Sequence, residues 1–284
     1  MQEFSNKIAV VTGASSGIGR ALALESARQG MRVVIADVDE AGLDETARLL
    51  EDLGSPALCV PTDVTRPESV DALADAAYER FGAVHLLCNN AGVIVGGASW
   101  EIPIEDYQWI LGVNTFGVVH GVKSFVPRML AQDCAGHIVN TASMAAVTSL
   151  PFTAAYHMSK HAVLALSECL YHELTQTQTK LRVSVLCPEL INTGIHRSER
   201  SRPAHLALQD PDARQSASAA LVMQALSEGM QRGLAPEVMA DRVFAAVRDE
   251  RFYILSEESW RDICNTRLED IRLGRNPTFC VPAT

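Results

Sequence analysis

The sequence predicts an α/β fold, a doubly wound parallel sheet in a single domain with helices on both faces. Three observations predict it. Apolar, β-branched runs alternate along the chain with segments of helix length. The runs are continuously apolar, as strands covered on both faces are. The first run also ends in a glycine-rich turn that opens a helical pattern. Right-handed crossovers between successive parallel strands then wind the sheet in both directions from its middle.

In chain order, "KIAVVTG" gives the first strand. "RVVIAD", "PALCVPTD", "VHLLCNNAG", "GHIVNTAS" and "LRVSVLCP" give five more. The segments between them include Ala41–Leu53, Ser69–Phe81, Ile104–Leu130 and Ala154–Thr177, each long enough for a helix. After Pro188 the pattern changes. From Asn192 to Pro236 no strand is expected, and one helical stretch lies near Ala213–Met230. A strand-free segment this long inside a domain reads as a lid, here about 189–235. A helix at Glu237–Asp249 and the strand "RFYIL" complete the sheet. Residues 257–284 read as a C-terminal extension, with a mixed-charge helix over Glu257–Gly274 and an irregular last ten residues.

Composition narrows the function classes. A net charge of −10 argues against a nucleic-acid partner, which needs a basic face. No apolar stretch approaches the ~20 residues that span a bilayer. "MQEFSNK" has neither the basic start nor the apolar run of a signal peptide, so a cytoplasmic protein is expected. The seven cysteines show no C-x-x-C spacing and lie mostly in apolar surroundings; they read as buried free thiols. The histidines show no ligand spacing, and no metal is expected. His157 and His161 stand i, i+4 but read as packing or solvent-facing residues.

Gly13, Gly17 and Gly19 sit at the first strand-to-helix turn, where backbone N–H groups and a helix N-terminus can hold a diphosphate. Their spacing is G-x-x-x-G-x-G. A tight turn with no ligand is the competing reading. Asp37 ends the second strand about twenty residues later, placed to accept hydrogen bonds from an adenosine ribose and to repel a 2′-phosphate. Neither Ser16 nor Val38 supplies a compensating positive charge, so NAD is favoured over NADP. The "DVDEAG" context also suits a helix cap, and Arg20 could reach a phosphate from the first helical turn.

With "TGASSGIGR", "NNAG" at Asn89–Gly92 and "DV" at Asp63–Val64, the sequence resembles the short-chain dehydrogenase/reductase family. The likeness is close from about Asn6 to Thr193 and weaker over Glu237–Leu255. It implies a Rossmann-type sheet and an NAD(P)-dependent oxidoreductase that interconverts a secondary alcohol and a ketone. It also implies cofactor contacts from Gly13, Ser15, Ser16, Ile18, Asp37, Asp63, Val64, Asn90, Ala91 and Gly92. On the nicotinamide side it implies contacts from Tyr156, Lys160, Pro188, Ile191 and Thr193.

Tyr156 and Lys160 form Y-x-x-x-K, an i, i+4 pair on one helix face. Such a spacing sets an ammonium beside a phenol. A free tyrosine titrates near ~10, so accepting a proton near neutrality takes a shift of roughly 3 units, or ~4 kcal/mol. A close cation and the positive nicotinamide ring could together supply it. A surface pair is the alternative. Ser143, thirteen residues earlier at the end of a strand, could hydrogen-bond a substrate oxygen, and a plain turn serine is its alternative. By resemblance Asn114 is the fourth catalytic member, holding a water that links Lys160 to solvent; it could also cap a kink.

Where the family has Pro-Gly, this chain has Pro188-Glu189. A glycine there can relieve a positive φ, so Glu189 implies a different backbone or strain, and either a solvent-pointing carboxylate or a polar contact to substrate. His196, Arg197, Arg200, Arg202 and His205 could grip a carboxylate, but with Glu199 among them the stretch reads as a solvated loop. Met144, Ala145, Val147, Leu150, Phe152, Leu190, Ile191 and the apolar face of Leu221–Met230 are expected to wall a mostly hydrophobic pocket. A medium-sized, mostly apolar alcohol or ketone follows, aryl-bearing forms included. Family likeness further implies a homodimer or homotetramer, with small residues Ala155, Ser159, Ala162 and Ala165 allowing close helix packing across an axis. The rival readings are an NADP-linked carbonyl reductase, an epimerase or dehydratase using the same pair, and a dinucleotide-binding sensor without chemistry.

Overall fold

The computed structural model describes residues 1–208, 216–255 and 258–280. Its strands are β1 (Ile8–Thr12), β2 (Arg32–Asp37), β3 (Leu58–Pro61), β4 (Leu86–Asn89), β5 (Gly136–Thr141), β6 (Leu181–Cys187) and β7 (Tyr253–Leu255). All pair in parallel, in the order β3-β2-β1-β4-β5-β6-β7. The order reverses between β1 and β4, and a crevice opens there at the carboxyl ends of the strands.

The alternation of side chains within each strand builds two cores. On β1, Ile8 and Val10 face one side with Val34, Leu87 and Ile138, covered by α3 (Pro67–Phe81), α4 (Ile104–Ile110), α5 (Gly117–Ala131) and α6 (Ala154–Gln176). Ala9 and Val11 face the other side with Ile35, Leu86 and Val139, covered by α1 (Gly17–Arg28), α2 (Glu40–Asp52) and α8 (Pro236–Arg248). Because both faces are buried, the strands need no polar alternation, and this is what made them legible as continuous apolar runs.

The expected helix over Ile104–Leu130 is interrupted. Between α4 and α5, Leu111–Phe116 winds as a π-helical turn centred on Asn114. Apolar periodicity across six residues cannot distinguish this from α-helix. The helix expected near Ala213–Met230 is α7 (Ala217–Gln231), and Ala213 lies outside the described residues. The extension helix is α9 (Glu258–Leu273); Glu257 and residues 281–284 lie outside the described residues. Among the described residues no helix is long and apolar enough to cross a membrane.

Two packing expectations are corrected. Only Cys88 and Cys187 are buried; Cys59 and Cys169 are exposed and Cys134, Cys264 and Cys280 intermediate. Cys59 sits on the edge strand β3, whose side chains alternate in burial, and Cys169 is on the outer face of α6. On α6, Ala155 and Ser159 are fully buried inside the chain, so they are used within the protomer, whereas Ala165 is exposed.

His137 on β5 illustrates a cost of burial. Its Nε2 lies 2.7 Å from Ser184 Oγ on β6, whose hydroxyl donates to Arg251 O, and its Nδ1 has no hydrogen-bond partner. Burial, with smaller contributions from the N-terminal ammonium and Arg182, pushes its pKa down to about 3. The folded state therefore refuses a proton that the unfolded chain accepts near pH 6.5, and stability falls as pH drops below that value. At pH 5 the loss from this one group is about 2 kcal/mol. A His137→Leu variant is expected to flatten the dependence of the urea midpoint on pH between 7 and 5 by that amount. An unchanged slope would show that this imidazole is not the source.

Candidate active site

The crevice above the β1–β4 reversal begins at the glycine turn. Gly13 and Gly17 have φ of +68° and +55°, and a Cβ on Gly13 would stand 2.8 Å from Ala91 Cα. A Cβ on Gly19 would meet the Gly13 carbonyl, 2.6 Å from its carbon and closer still to its oxygen. The turn can thus be this tight only with glycine. It delivers the start of α1 to the crevice, and Ser16 at its N-cap makes no side-chain hydrogen bond to the helix. The first turn of α1 contains no acidic residue, so its N–H groups remain available to an anion.

Around that turn the loops are fixed by hydrogen bonds. Thr12 Oγ1 accepts from the N–H groups of Asn90 (2.9 Å) and Ala91 (3.2 Å), while Asn90 Nδ2 donates to Thr12 O at 3.1 Å. One residue earlier, Asn89 Nδ2 donates to Asn140 Oδ1 at 2.9 Å, tying β4 to β5. Asp37 Oδ2 accepts from Ser15 N–H and Oδ1 from Asp39 N–H, both at 3.1 Å. The carboxylate therefore supports the turn as well as lining the crevice. Helix capping falls instead to Asp39, which accepts from Gly42 N–H. Arg20 is directed away from the crevice: its guanidinium donates to Ser15 O and Thr46 Oγ1 and pairs with Glu45 at 2.7 Å. The cation that could have favoured a 2′-phosphate is thereby tied to α2.

One cleft collects nearly every expected site residue. Gly13, Ser15, Ser16, Ile18 and Asp37 line it with Asp63, Val64, Asn90, Ala91 and Gly92. Ser143, Tyr156 and Lys160 line its other part with Pro188, Glu189, Ile191 and Thr193. Asn114 is the exception. Its side chain is fully buried and spent on Val93 (N–H to Oδ1 2.8 Å, Nδ2 to O 3.0 Å) and on Ser159 Oγ (2.9 Å). It clamps the segment after β4 to α6 from within the π-helical turn.

Lys160 is buried, and its Nζ donates to Thr141 O at 2.9 Å and lies 5.7 Å from the Tyr156 ring centre. Burial pulls its pKa down to about 8. For Tyr156 the chain's own groups act against ionisation. Burial raises the phenol above its ordinary value, the Ser143 hydrogen bond opposes it, and Cys187 adds to the rise.

Glu189 departs from two of its sequence expectations, strain and a solvent-pointing carboxylate, while it lines the cleft. It is absent from the positive-φ residues, so no strain replaces the usual glycine. Its carboxylate is 8% exposed and pairs with Arg242 on α8 at 3.2 Å, so it does not point to solvent. The lid is likewise not a solvated loop throughout. Arg202 is 5% exposed, pairs with the fully buried Asp106 and stacks 4.0 Å from the Trp109 ring centre. Ser198, Arg200 and Pro203 from the lid also line the cleft; Arg200 was read from the sequence as part of a solvated loop, and Ser198 and Pro203 were not singled out. The interleaved "HRSERSR" was the available signal, and its mixed charge concealed it.

The expected hydrophobic wall is also redrawn. Of its named members only Ile191 and Met230 line the cleft. Met144 is buried in a small core with Val163, Val185 and Cys187, and Phe152, at φ +63°, is exposed. The apolar space lies instead in an adjoining cavity of about 600 Å³ that shares Ser198 with the cleft. Ile94, Val95, Gly96, Ala217, Ala219, Ala220 and Met223 line it, with His196, Glu199 and Ser216 as polar members. Gly96 allows α7 to approach, since a Cβ there would stand 2.6 Å from Val222 Cγ1.

Comparison with known proteins agrees with this architecture. The family model for short chain dehydrogenases matches residues 7–204. A CLA biosynthesis dehydrogenase/reductase from Lactiplantibacillus plantarum is 33% identical over 95% of both chains. A 1-deoxy-11-beta-hydroxypentalenate dehydrogenase from Streptomyces exfoliatus is 36% identical over 93% of this chain and 88% of its own. Among solved structures, a short-chain dehydrogenase/reductase from Burkholderia phymatum in complex with NAD superposes over all of both chains, with a TM-score of 0.96 and 44% identity. LigO from Sphingobium sp. strain SYK-6, in its apo form, has a TM-score of 0.79 and 30% identity over 96% of this chain and 90% of its own. The chain belongs to the short-chain dehydrogenase/reductase family, and with it to the oxidoreductases.

Proposed function

We propose that this short-chain dehydrogenase is an NAD-preferring enzyme that interconverts a secondary alcohol and a ketone on a medium-sized, mostly apolar substrate. The observation that carries the proposal is one cleft lined by the glycine turn, the Asp37 carboxylate and the Ser143–Tyr156–Lys160 group. The three glycines of the Gly13–Gly19 turn and the uncapped N-terminus of α1 fit a dinucleotide diphosphate. Asp37 binds the adenosine ribose hydroxyls and repels a 2′-phosphate, while Arg20, bound to Glu45, offers no compensation. The NAD complex of the Burkholderia relative supports the same choice.

When bound, the nicotinamide ring accepts or returns a hydride at C4. Ser143 holds the substrate oxygen, and Tyr156 takes or gives the hydroxyl proton. Lys160 binds the nicotinamide ribose and adds positive charge near the phenol. Asn114 fixes the π-helical turn behind Lys160, along the proposed water path from Lys160 to solvent. Asp63, Val64 and Asn90–Gly92 flank the adenosine, and Pro188, Ile191 and Thr193 the nicotinamide. Glu189, anchored by Arg242, is a fixed polar contact at the substrate end. The cavity beneath α7 supports an apolar substrate body. Residues 189–235 act as the lid, residues 257–284 as an extension, and the chain works as a cytoplasmic homodimer or homotetramer.

A panel of secondary alcohols assayed with NAD and with NADP tests the proposal. We expect turnover of aryl or alicyclic alcohols, with kcat/KM at least tenfold higher with NAD. Turnover of short charged hydroxy acids alone would overturn the substrate class, and preference for NADP would overturn the role of Asp37.

A further inference from the structure

The cleft is poor in positive charge. Among the described residues lining it, the cationic side chains are Lys160 and Arg200, against Asp37, Asp63 and Glu189. Lys160 is held at the reacting end by Thr141 O. The N-terminus of α1 supplies the equivalent of about half a charge, whereas a dinucleotide diphosphate brings two negative charges. Arg200 stands where the remaining charge is needed. Its Nη2 lies 3.4 Å from Ser16 Oγ, at the mouth of the glycine turn.

That position is built. Arg200 Nη1 donates to Gly194 O at 2.9 Å and to Arg197 O at 3.1 Å. The guanidinium lies against the Gly194 backbone, where a Cβ would meet Nη1 at 3.4 Å. The preceding Thr193 packs on Gly17, 3.0 Å from where that residue's Cβ would be. A lid residue is thus pre-positioned over the start of α1, although nothing in the local sequence ties it there.

Resting on the dinucleotide reading, we propose that Arg200 is a lid-borne clamp for the cofactor diphosphate, through which cofactor binding closes the wall of the substrate cavity. The link to that wall is short. Ser198, two residues before, accepts the Ile94 N–H at 3.1 Å, and Ser198 and Ile94 both line the cavity under α7. On the other side, Arg202 fastens the segment to Asp106 and Trp109. The diphosphate is favoured over a 2′-phosphate as the clamp's target because Arg200, though exposed, reaches Ser16 and Gly194 at the glycine turn, whereas Asp37 lines the ribose end.

The test is titration of NADH and NADPH, followed by protein fluorescence, into wild type, Arg200→Met and Arg200→Lys, with hydrogen exchange over residues 94–98 and 194–206. We expect NADH affinity to fall about tenfold in Arg200→Met with a shallower salt dependence, and to return to within threefold of wild type in Arg200→Lys. The NADH-to-NADPH ratio stays constant, and NADH slows exchange of both segments more in wild type than in Arg200→Met. Unchanged NADH affinity in Arg200→Met overturns the clamp, as does a loss confined to NADPH. Equal slowing of exchange in the two proteins overturns the coupling. If wild type binds no NADH, the dinucleotide reading itself falls, and the clamp with it.

Discussion

Replacing Tyr156 by Phe is expected to reduce kcat by roughly 10³-fold while leaving NADH affinity within about threefold of wild type. The reduction lies in the range that a positioned proton donor or acceptor contributes. Stability cannot account for it: the variant removes one hydroxyl hydrogen-bonded to Ser143, a change of about 1 kcal/mol. The chain's own groups leave the phenol harder to ionise than a free tyrosine, since burial is opposed mainly by Ser143. Burial lowers the Lys160 pKa to about 8, and its ammonium donates to Thr141 O. In the proposed reaction, charge brought into the cleft by the cofactor would favour the phenolate, and the hydroxyl is what that charge would act on. Steady-state kinetics beside a fluorescence titration separates the outcomes. Activity within tenfold of wild type would remove Tyr156 from the chemistry and favour a sensor that binds nucleotide without reacting.

How much of this was legible in the sequence followed the range of the interaction involved. The strands were readable because burial on both faces forces uninterrupted apolar runs, and "KIAVVTG" and "LRVSVLCP" contain β1 and β6. The turn was readable because its three glycines stand within seven residues at a strand-to-helix junction, although the contacts that demand them reach Asn90, Ala91 and Thr193 as well as Gly13 itself. Relations across the chain were not. Glu189 meets Arg242 fifty-three positions away, and Arg202 meets Asp106 ninety-six positions away, so neither polar residue shows its partner locally. The hydrophobic wall failed for a related reason. Met144 and Phe152 are both apolar neighbours of Ser143 in sequence, but one enters a core beneath β6 and the other is pushed outward at a positive φ. Hydropathy gives the tendency to be buried and leaves the destination to packing.

The second large effect is expected at Gly19, where replacement by Ala should weaken NADH binding at least 100-fold, about 2.7 kcal/mol, with the sheet preserved. The added methyl would meet the Gly13 carbonyl, 2.6 Å from its carbon, and would stand 2.7 Å from Asn90 Nδ2. Backbone cannot swing aside like the end of a long side chain. Gly13 cannot retreat either, because its α-carbon already approaches Ala91 so closely that a Cβ would stand 2.8 Å away. The start of α1 must therefore move out of the crevice, taking with it the N–H groups proposed to hold the diphosphate. Overpacking of this kind costs about 1–3 kcal/mol. The rest of α1 resists the shift, since Ala21, Leu22 and Ala23 are buried and α1 packs along α8. Strain and lost binding thus have one cause, and the melting temperature should fall by several degrees together with the affinity. Circular dichroism would confirm that the sheet survives, and a fluorescence titration would measure the binding. Wild-type affinity for NADH in a folded Gly19→Ala protein would mean that the cofactor does not lie against this turn.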